Sequence, residues 1–227
     1  MALAVLARER GLVDLGSHAH ILSYRRARST PPVPPVDGAS VAAVLLTDVL
    51  AVTGAIDAVG VRWWVGGGWG VDVLVGRVTR AHRDLDLAVD AQGLGPAVTA
   101  LAALGYRPET DWLPVRLELA APGARWVDLH PVVLDAAGDG VQAGPDGTTF
   151  AYPARDLVSG VLEGHRLACL SVARQRVFRT GYPPRPQDRH DLALLDTLDG
   201  VDAVDGLEGA DARPHPARPD RPTHDDD

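Results

Sequence analysis

Two carboxylates, Asp84 and Asp86, stand two positions apart in the stretch "RDLDLAVD". Apolar and polar residues alternate there, which predicts a β-strand with both acids on one face, about 7 Å apart along the backbone. Side chains at this spacing can converge on hard divalent cations such as Mg²⁺, and a pair of such ions can clamp an in-line phosphoryl displacement. The alternative is an acidic strand face that only meets solvent.

A second alternating stretch, "RWVDLH", places Trp126, Asp128 and His130 on one face of another expected strand. If this strand pairs beside the first, Asp128 brings a third carboxylate to the same site, depending on strand register. The candidate metal ligands are therefore Asp84, Asp86 and Asp128. His130 is a further possible ligand, although a supporting position is favoured for a histidine beside three carboxylates.

Three consecutive glycines, Gly66, Gly67 and Gly68, separate an expected strand, "VRWWV", from an expected helix, "GWGVDVLVG". Glycine lets a backbone approach phosphate closely, and the free N–H groups of a helix N-terminus favour anions. We therefore predict that Gly67 and Gly68 bind the phosphates of a nucleotide. A tight turn without a ligand is the competing explanation.

Basic side chains crowd the loop between that helix and Asp84. The chain has no lysine, so all 22 of its basic residues are arginines, and arginine forks are the available phosphate clamps. The predicted nucleotide-binding residues of this loop are Arg77, Arg80, His82 and Arg83. The competing interpretation is that single members of this group pair with Asp72 or with another nearby acid, and that His82 is a core histidine.

The remaining periodicities predict an α+β fold, in which a small mixed β-sheet is followed by a helical C-terminal lobe. Helices are expected near 40–60 and 95–106, and a Pro-Gly turn should join strands 115–120 and 125–134 into a hairpin. Three more helices are expected at 154–164, 171–181 and 186–198. We assign the acids that begin the last helix, Asp188 and Asp191, to capping and to the helix dipole.

Composition excludes several classes of protein. A net charge of −8 disfavours non-specific nucleic-acid binding, and no apolar run approaches the ~18 residues of a membrane span. The single Cys169 excludes an internal disulfide, and Arg8 and Glu9 interrupt any signal-peptide core. We therefore expect a cytoplasmic protein without nucleic-acid or membrane partners.

The order of the motifs is more specific than any one of them. A strand, a glycine pair, a helix, an Asp-x-Asp strand and a later Asp-bearing strand together resemble the polymerase-β-like nucleotidyltransferase superfamily. The segment "GGGWGVDVLVGRVTRAHRDLDLAV" is similar to the signature of its aminoglycoside 2″-adenylyltransferase and lincosamide nucleotidyltransferase branch. The similarity extends to "WVDLHPVVLD" and to "CLSVARQRVFRTGYPPRPQDRHDLALL", and covers roughly residues 45–199.

This resemblance implies an enzyme that transfers a nucleoside monophosphate, with ATP the expected donor, to a hydroxyl of a small acceptor such as an aminoglycoside or lincosamide. Asp84 and Asp86 would hold Mg²⁺, and Asp128 would be the general base or a ligand of a second metal. Gly67 and Gly68 would meet the β- and γ-phosphates. The acidic net charge is compatible with a cationic acceptor, and a monomer or homodimer is expected.

Composition predicts a disordered leader (1–38) and a disordered acidic tail (200–227). Between them, the resemblance implies a nucleotidyltransferase domain (39–150) followed by a helical substrate lobe (151–199). Tyr152 and Tyr182 are open candidates for substrate contacts. The alternative function is an antitoxin or regulatory protein that keeps the nucleotidyltransferase fold and modifies or binds a protein partner.

Overall fold

The computed structural model describes residues 43–198, so the expected leader and tail lie outside the described residues. The helices within this range are α1 (Leu46–Asp57), α2 (Gly67–Val75), α3 (Leu94–Ala103), α4 (Val172–Val177) and α5 (Pro186–Leu198). None of the helices formed by residues 43–198 has the length and apolar composition that crossing a bilayer requires.

The strands of the same range form one mixed sheet. They are β1 (Trp63–Val65), β2 (Asp84–Asp90), β3 (Arg107–Trp112), β4 (Arg116–Ala121), β5 (Arg125–Leu134), β6 (Gly140–Ala143), β7 (Thr149–Tyr152), β8 (Leu157–Leu162) and β9 (His165–Leu170). Their order is β3-β4-β5-β2-β1-β9-β8, and β6 pairs with both β5 and β7. The predicted α+β class is confirmed, and so is the predicted β4–β5 hairpin.

The centre of the sheet is the parallel pair β2 and β5. A parallel pair needs a crossover connection, which α3 and the β3–β4 hairpin supply here. On β2, Leu85, Leu87 and Val89 are fully buried in a core that also contains Ile56 of α1 and Leu101 of α3. Because side chains alternate along a strand, the opposite face of β2 is left to its acidic residues.

The helix expected at 154–164 is wrong. Ala154–Asp156 is a short 3-10 turn, and the following residues form β8, which pairs antiparallel with β9. Glu163 and Gly164, which join the two strands, both have positive φ angles of 46° and 84°. Two residues with positive φ are the signature of a type I′ hairpin turn, whose twist matches that of the flanking strands.

Packing on α2 also favours a strand at β8. A Cβ at Gly160 would lie 2.6 Å from the carbonyl oxygen of Val73, so this residue allows close approach of β8 to the helix. The sheet therefore continues beyond residue 150, and β7, β8 and β9 belong to it together with the Asp-bearing strands. The other two helices expected in this segment are present as α4 and α5.

Candidate active site

The register of β2 and β5 brings the predicted acids together. Asp86 lies directly opposite Asp128, and Ala88 lies opposite His130. One ligand atom each of Asp86, Asp128 and His130 falls within 4.8 Å of the others, as a shared metal ion would require. Asp84 lies on the same face of β2 as Asp86, and both residues line one surface cleft. Asp84 is not part of the tight group formed by Asp86, Asp128 and His130.

Asp128 is the most deeply placed of the three carboxylates. Its side chain is 0% exposed, whereas those of Asp84 and Asp86 are 21% and 19% exposed. Arg116 of β4 donates to Asp128 Oδ2 at 2.6 Å, and its guanidinium lies 4.7 Å from the centroid of the Trp112 ring. An ion pair of this kind compensates the cost of burying the carboxylate.

The glycine turn (66–68) packs directly against the carboxylate of Asp86. The N–H of Gly66 donates to the backbone oxygen of Asp86 at 2.9 Å. Gly67 has a φ of +56°, and a Cβ there would lie 2.1 Å from Asp86 Oδ2. The N–H groups of the first turn of α2 have no partner within the helix, so this turn presents donors beside the acids.

Gly68 packs on the other side of the turn. A Cβ at this position would lie 2.3 Å from Arg80 Nη2 and 2.4 Å from His82 Nδ1. His82 is buried, and its Nε2 lies 2.5 Å from Asp72 Oδ2 while its ring contacts Trp69 at a centroid distance of 4.6 Å. The structure thus places His82 behind the glycine turn, paired with Asp72, and not among the residues that line the cleft.

The loop arginines differ in position. Arg80 and Arg83 line the cleft, whereas Arg77 is exposed and lies outside the cleft formed by the described residues. Both oxygens of Asp191 accept from Arg80 at 2.9 Å, so this arginine pairs with an acid, as the competing interpretation held. Arg83 lies 3.7 Å from Asp84 and 3.9 Å from Glu118.

Asp191 of α5 connects the C-terminal helices to the glycine turn. Its Oδ2 accepts from Arg179 at 2.8 Å, and the same guanidinium nitrogen donates to the backbone oxygen of Gly67 at 2.8 Å. Burial acts to raise the pKa of Asp191, but hydrogen bonds and charges from Arg80 and Arg179 outweigh it and lower the pKa below its ordinary value. Asp191 is therefore held as a carboxylate between two arginines.

Sequence reasoning missed Arg179 and assigned Asp191 only to capping. Asp188 fits that assignment, because its Oδ2 accepts from the backbone N–H of Arg185 at 3.0 Å. The available signal was spacing: residues three apart lie on one helix face, so Asp188 and Asp191 had to point the same way. Both line the cleft.

All these groups surround one cleft of about 300 Å³. Its lining includes the glycine turn, Asp84, Asp86 and several arginines. It also includes an apolar wall made by Leu170 and three aromatic residues, Phe150, Tyr152 and Phe178, which pack in one cluster. Tyr152 thus lines the cleft, whereas Tyr182 lies outside its lining. A cleft that combines backbone and arginine donors with an apolar wall suits the binding of a nucleotide together with a second molecule.

The sequence is similar to those of two known antibiotic-related proteins. A lincosamide resistance protein of Staphylococcus haemolyticus is 34% identical over 132 residues, which is 58% of this chain and 82% of that protein. A 2″-aminoglycoside nucleotidyltransferase of Escherichia coli is 28% identical over 170 residues, covering 60% of this chain and 96% of that protein.

Solved structures agree with these sequence relatives. The crystal structure of the lincomycin-bound lincosamide adenylyltransferase LnuA is 30% identical, with a TM-score of 0.64 over 69% of this chain and 99% of that one. ANT(2″)-Ia in complex with adenylyl-2″-tobramycin is 23% identical, with a TM-score of 0.56 over 70% of this chain and 91% of that one, and shares the fold.

The family profile described as aminoglycoside-2″-adenylyltransferase matches residues 48–195. This range contains the glycine turn, the three carboxylates, and both arginines that bind Asp191. The protein is therefore a nucleotidyltransferase, and it belongs to the aminoglycoside-2″-adenylyltransferase family.

Proposed function

We propose that this protein transfers AMP from ATP, with Mg²⁺, to a hydroxyl group of a small antibiotic-like molecule bound in the cleft. The observation that carries the proposal is the contact between Gly67 and Asp86. Through this contact, a backbone turn that would bind phosphate lies against a carboxylate that faces a second carboxylate, Asp128, across parallel strands. Phosphate and metal sites so close together suit a nucleoside triphosphate.

The donor groups fit magnesium. Carboxylate oxygens are the ligands that this ion prefers, and Asp84, Asp86 and Asp128 would hold it. When bound, the ion neutralises phosphate charge and orients the reacting groups. Asp128 is fully buried, with its Oδ2 held by Arg116, so its position supports the role of a metal ligand better than that of a base reaching an acceptor hydroxyl.

The protein groups around the glycine turn would bind and orient the nucleotide that donates AMP. The N–H groups of Gly67 and Gly68 at the start of α2 would meet phosphate oxygens, and Arg83 and Arg80 would add positive charge. Orientation is the main requirement, because the acceptor oxygen must approach the α-phosphorus in line with the departing pyrophosphate. The proton of the acceptor hydroxyl would pass to one of the three carboxylates, Asp84, Asp86 or Asp128.

The apolar wall of the cleft favours one of the two expected acceptor classes. The acids of α5 that line the cleft are already neutralised, since Asp188 pairs with Arg185 and Asp191 pairs with two arginines. A polycationic aminoglycoside needs exposed carboxylates, whereas a lincosamide presents an apolar face with little charge. The aromatic wall of Phe150, Tyr152 and Phe178 therefore supports a lincosamide-like acceptor.

Pyrophosphate release tests this proposal. The protein is incubated with Mg²⁺, each of the four nucleoside triphosphates, and panels of lincosamides and aminoglycosides. We expect release with ATP and at least one lincosamide. The Asp86→Asn variant should lose activity by at least about 10²-fold, since it removes a charge at the reacting phosphate.

The matched control is Asp196→Asn, which changes a carboxylate on α5 that is 72% exposed and pairs with Arg176 on the surface. This variant should keep wild-type turnover. Folded wild-type protein that releases no pyrophosphate with any combination would contradict the proposed activity. Full activity of Asp86→Asn would contradict the assigned metal site.

A further inference from the structure

A chain of hydrogen bonds leads from the apolar wall of the cleft to Asp86. The hydroxyl of Tyr152 on β7 donates to Gln142 Oε1 on β6 at 2.6 Å. Gln142 Nε2 lies 3.2 Å from His130 Nδ1 on β5, and His130 Nε2 lies 3.2 Å from Asp86 Oδ1 on β2. Four strands of the sheet thus contribute one side chain each.

The orientation of the Gln142 amide is fixed by a backbone group. The side-chain nitrogen of Gln142 lies 3.0 Å from the carbonyl oxygen of Val115, and a carbonyl oxygen can only accept. The atom that faces Val115 must therefore be the NH₂ group, and Oε1 must face the Tyr152 hydroxyl. Gln142 is buried, so solvent does not replace these partners.

This orientation determines the tautomer of His130. The NH₂ group of Gln142 has two hydrogens, one for Val115 and one for His130 Nδ1. Because Nδ1 accepts a hydrogen bond, it carries no proton, and the ring proton is on Nε2. His130 Nε2 therefore donates to Asp86 Oδ1, an interaction that the carboxylate charge strengthens.

We propose that His130 is a positioning residue that orients the carboxylate of Asp86, and that Gln142 holds His130 in the required tautomer. The proposal rests on the metal-dependent reaction proposed above. It gives His130 a different role from that of a metal ligand, although one of its ring nitrogens is within 4.8 Å of the ligand atoms of Asp86 and Asp128. A nitrogen that carries a proton has no lone pair with which to bind a metal.

The hydrogen bond from His130 to Asp86 restricts the orientation of the Asp86 carboxylate. Asp86 has Gly67 on one side of its carboxylate and His130 on the other. With Oδ1 fixed by His130, the carboxylate cannot rotate freely, so the direction in which it presents its oxygens to a metal is set before the metal binds. The cluster then loses less side-chain entropy on binding.

The tautomer is tested directly by long-range ¹H–¹⁵N NMR of the full-length protein without nucleotide. The spectrum of the His130→Asn variant identifies the His130 signal among the eight histidines. We expect an unprotonated Nδ1 and a protonated Nε2, and we expect the same pattern after Mg²⁺ is added. A proton on Nδ1, or loss of the Nε2 proton on addition of Mg²⁺, would overturn the proposal.

Two substitutions test the orienting role through metal affinity. His130→Gln keeps an amide N–H near the position of Nε2, whereas His130→Asn places its amide near Nδ1 and leaves Asp86 without this donor. With Mn²⁺ as the probe, followed by its EPR signal, we expect binding to weaken about tenfold in His130→Asn and to stay near wild type in His130→Gln. Equal affinities of wild type and both variants, or equal losses in both, would contradict the role.

These measurements separate the inference from the proposed reaction. Both the tautomer and Mn²⁺ affinity are measured without substrate, so they do not require the correct acceptor to be known. If the NMR pattern and the Mn²⁺ results hold while no acceptor supports pyrophosphate release, the reaction fails and the positioning role stands. If release occurs with the other tautomer at His130, only the positioning role fails.

Discussion

Gly67 combines two requirements in one residue. Its φ of +56° lies in the left-handed region, and its missing side chain leaves room for Asp86 Oδ2, which would lie 2.1 Å from a Cβ. Either requirement alone favours glycine, and together they tie the backbone of the glycine turn to the position of the Asp86 carboxylate. In the proposed reaction, the shape of the phosphate-binding turn and the geometry of the metal site would therefore depend on the same contact.

The variant Gly67→Ala tests this coupling. The left-handed φ alone costs about 1–2 kcal/mol for alanine, and the methyl group would also displace the Asp86 carboxylate. We expect a loss of stability of at least this size, measured by urea unfolding. We also expect nearly complete loss of pyrophosphate release, because both phosphate and metal contacts move.

Gly54→Ala is the matched control for Gly67→Ala. Gly54 lies in α1, and a Cβ there meets nothing within 4 Å. Alanine should be neutral or stabilise the protein by up to about 1 kcal/mol, with unchanged activity. If the two variants behaved alike, the contact between Gly67 and Asp86 would have no functional weight.

At the residue scale, the sequence alone identified the candidate site residues whose side-chain type suggests a chemical role. Asp84, Asp86 and Gly67 stand within one short segment, so local periodicity was enough to place them on a strand face and at a helix start. Gln142 and Arg179 were missed because their partners lie far away in sequence. Gln142 binds Val115 and His130, and Arg179 binds Gly67 across 112 positions.

At the scale of elements, α5 is attached to the glycine turn through Asp191. Its carboxylate is 2% exposed and binds Arg80 from the loop after α2 and Arg179 from the segment after α4. Three separate parts of the chain thus meet at one buried charge. Removing that charge leaves two arginines without compensation, which makes this contact expensive to break.

Asp191→Asn should therefore destabilise the protein by about 3 kcal/mol at neutral pH. The pKa of Asp191 in the folded protein lies below its ordinary value of 3.8, so the unfolded chain takes up a proton first as the pH falls. The stabilisation by Asp191 is fully present above 3.8 and is lost below it. Urea unfolding of both proteins across this range should show their difference shrinking with acidification.

Asp196→Asn again provides the control, since Asp196 lies on the same helix as Asp191 and its ion pair with Arg176 of α4 is on the surface. Exposed ion pairs contribute at most about 1 kcal/mol, so this variant should stay near wild-type stability. A difference between wild type and Asp191→Asn that is small at neutral pH, or that grows as the pH falls, would contradict the buried network.

The elements themselves were predicted where their patterns were regular. The alternation in β2 and β5 was correct, and the helices α4 and α5 were found. The segment 154–164 was misassigned because Leu157, Val161 and Leu162 also fit a helical spacing. The segment forms a strand because Glu163 and Gly164 adopt positive φ angles in a hairpin turn and because Gly160 packs closely against α2. Tertiary contacts of this kind cannot be detected in a local sequence pattern.

At the scale of the whole molecule, the sheet joins the N-terminal and C-terminal parts of the described chain. Strand β1 pairs antiparallel with β2 and parallel with β9, where Val65 lies opposite Cys169. Leu170 and Tyr152 of the apolar wall therefore lie on the same sheet as Asp84, Asp86 and Asp128. We infer that residues 43–198 unfold as one cooperative unit.

Cys169 reports on this cooperativity. It is the single cysteine of the chain, it is fully buried in β9, and burial raises the pKa of its thiol to about 12. The native protein should therefore resist Ellman's reagent, because the reaction requires a thiolate of the protein to attack the disulfide of the reagent and release thionitrobenzoate. As urea is raised, labelling should begin only at the unfolding transition that circular dichroism detects.

Labelling of Cys169 at urea concentrations well below that transition would show that β9 opens separately, and would contradict a single unit. Fully denatured protein supplies the reference rate for an accessible thiol. Because the sequence contains no other cysteine, the signal needs no background mutation.

The parallel pairing of β1 with β9 has a consequence for exchanging specificity between relatives. A chimera that takes its C-terminal segment from another family member would have to match the edge of β1 at Val65 and the close approach of Gly160 to α2. It would also need an acid at the position of Asp191 to hold Arg80 beside the glycine turn. We therefore expect that exchanging the proposed acceptor wall between relatives requires a matched strand register as well as matched wall residues.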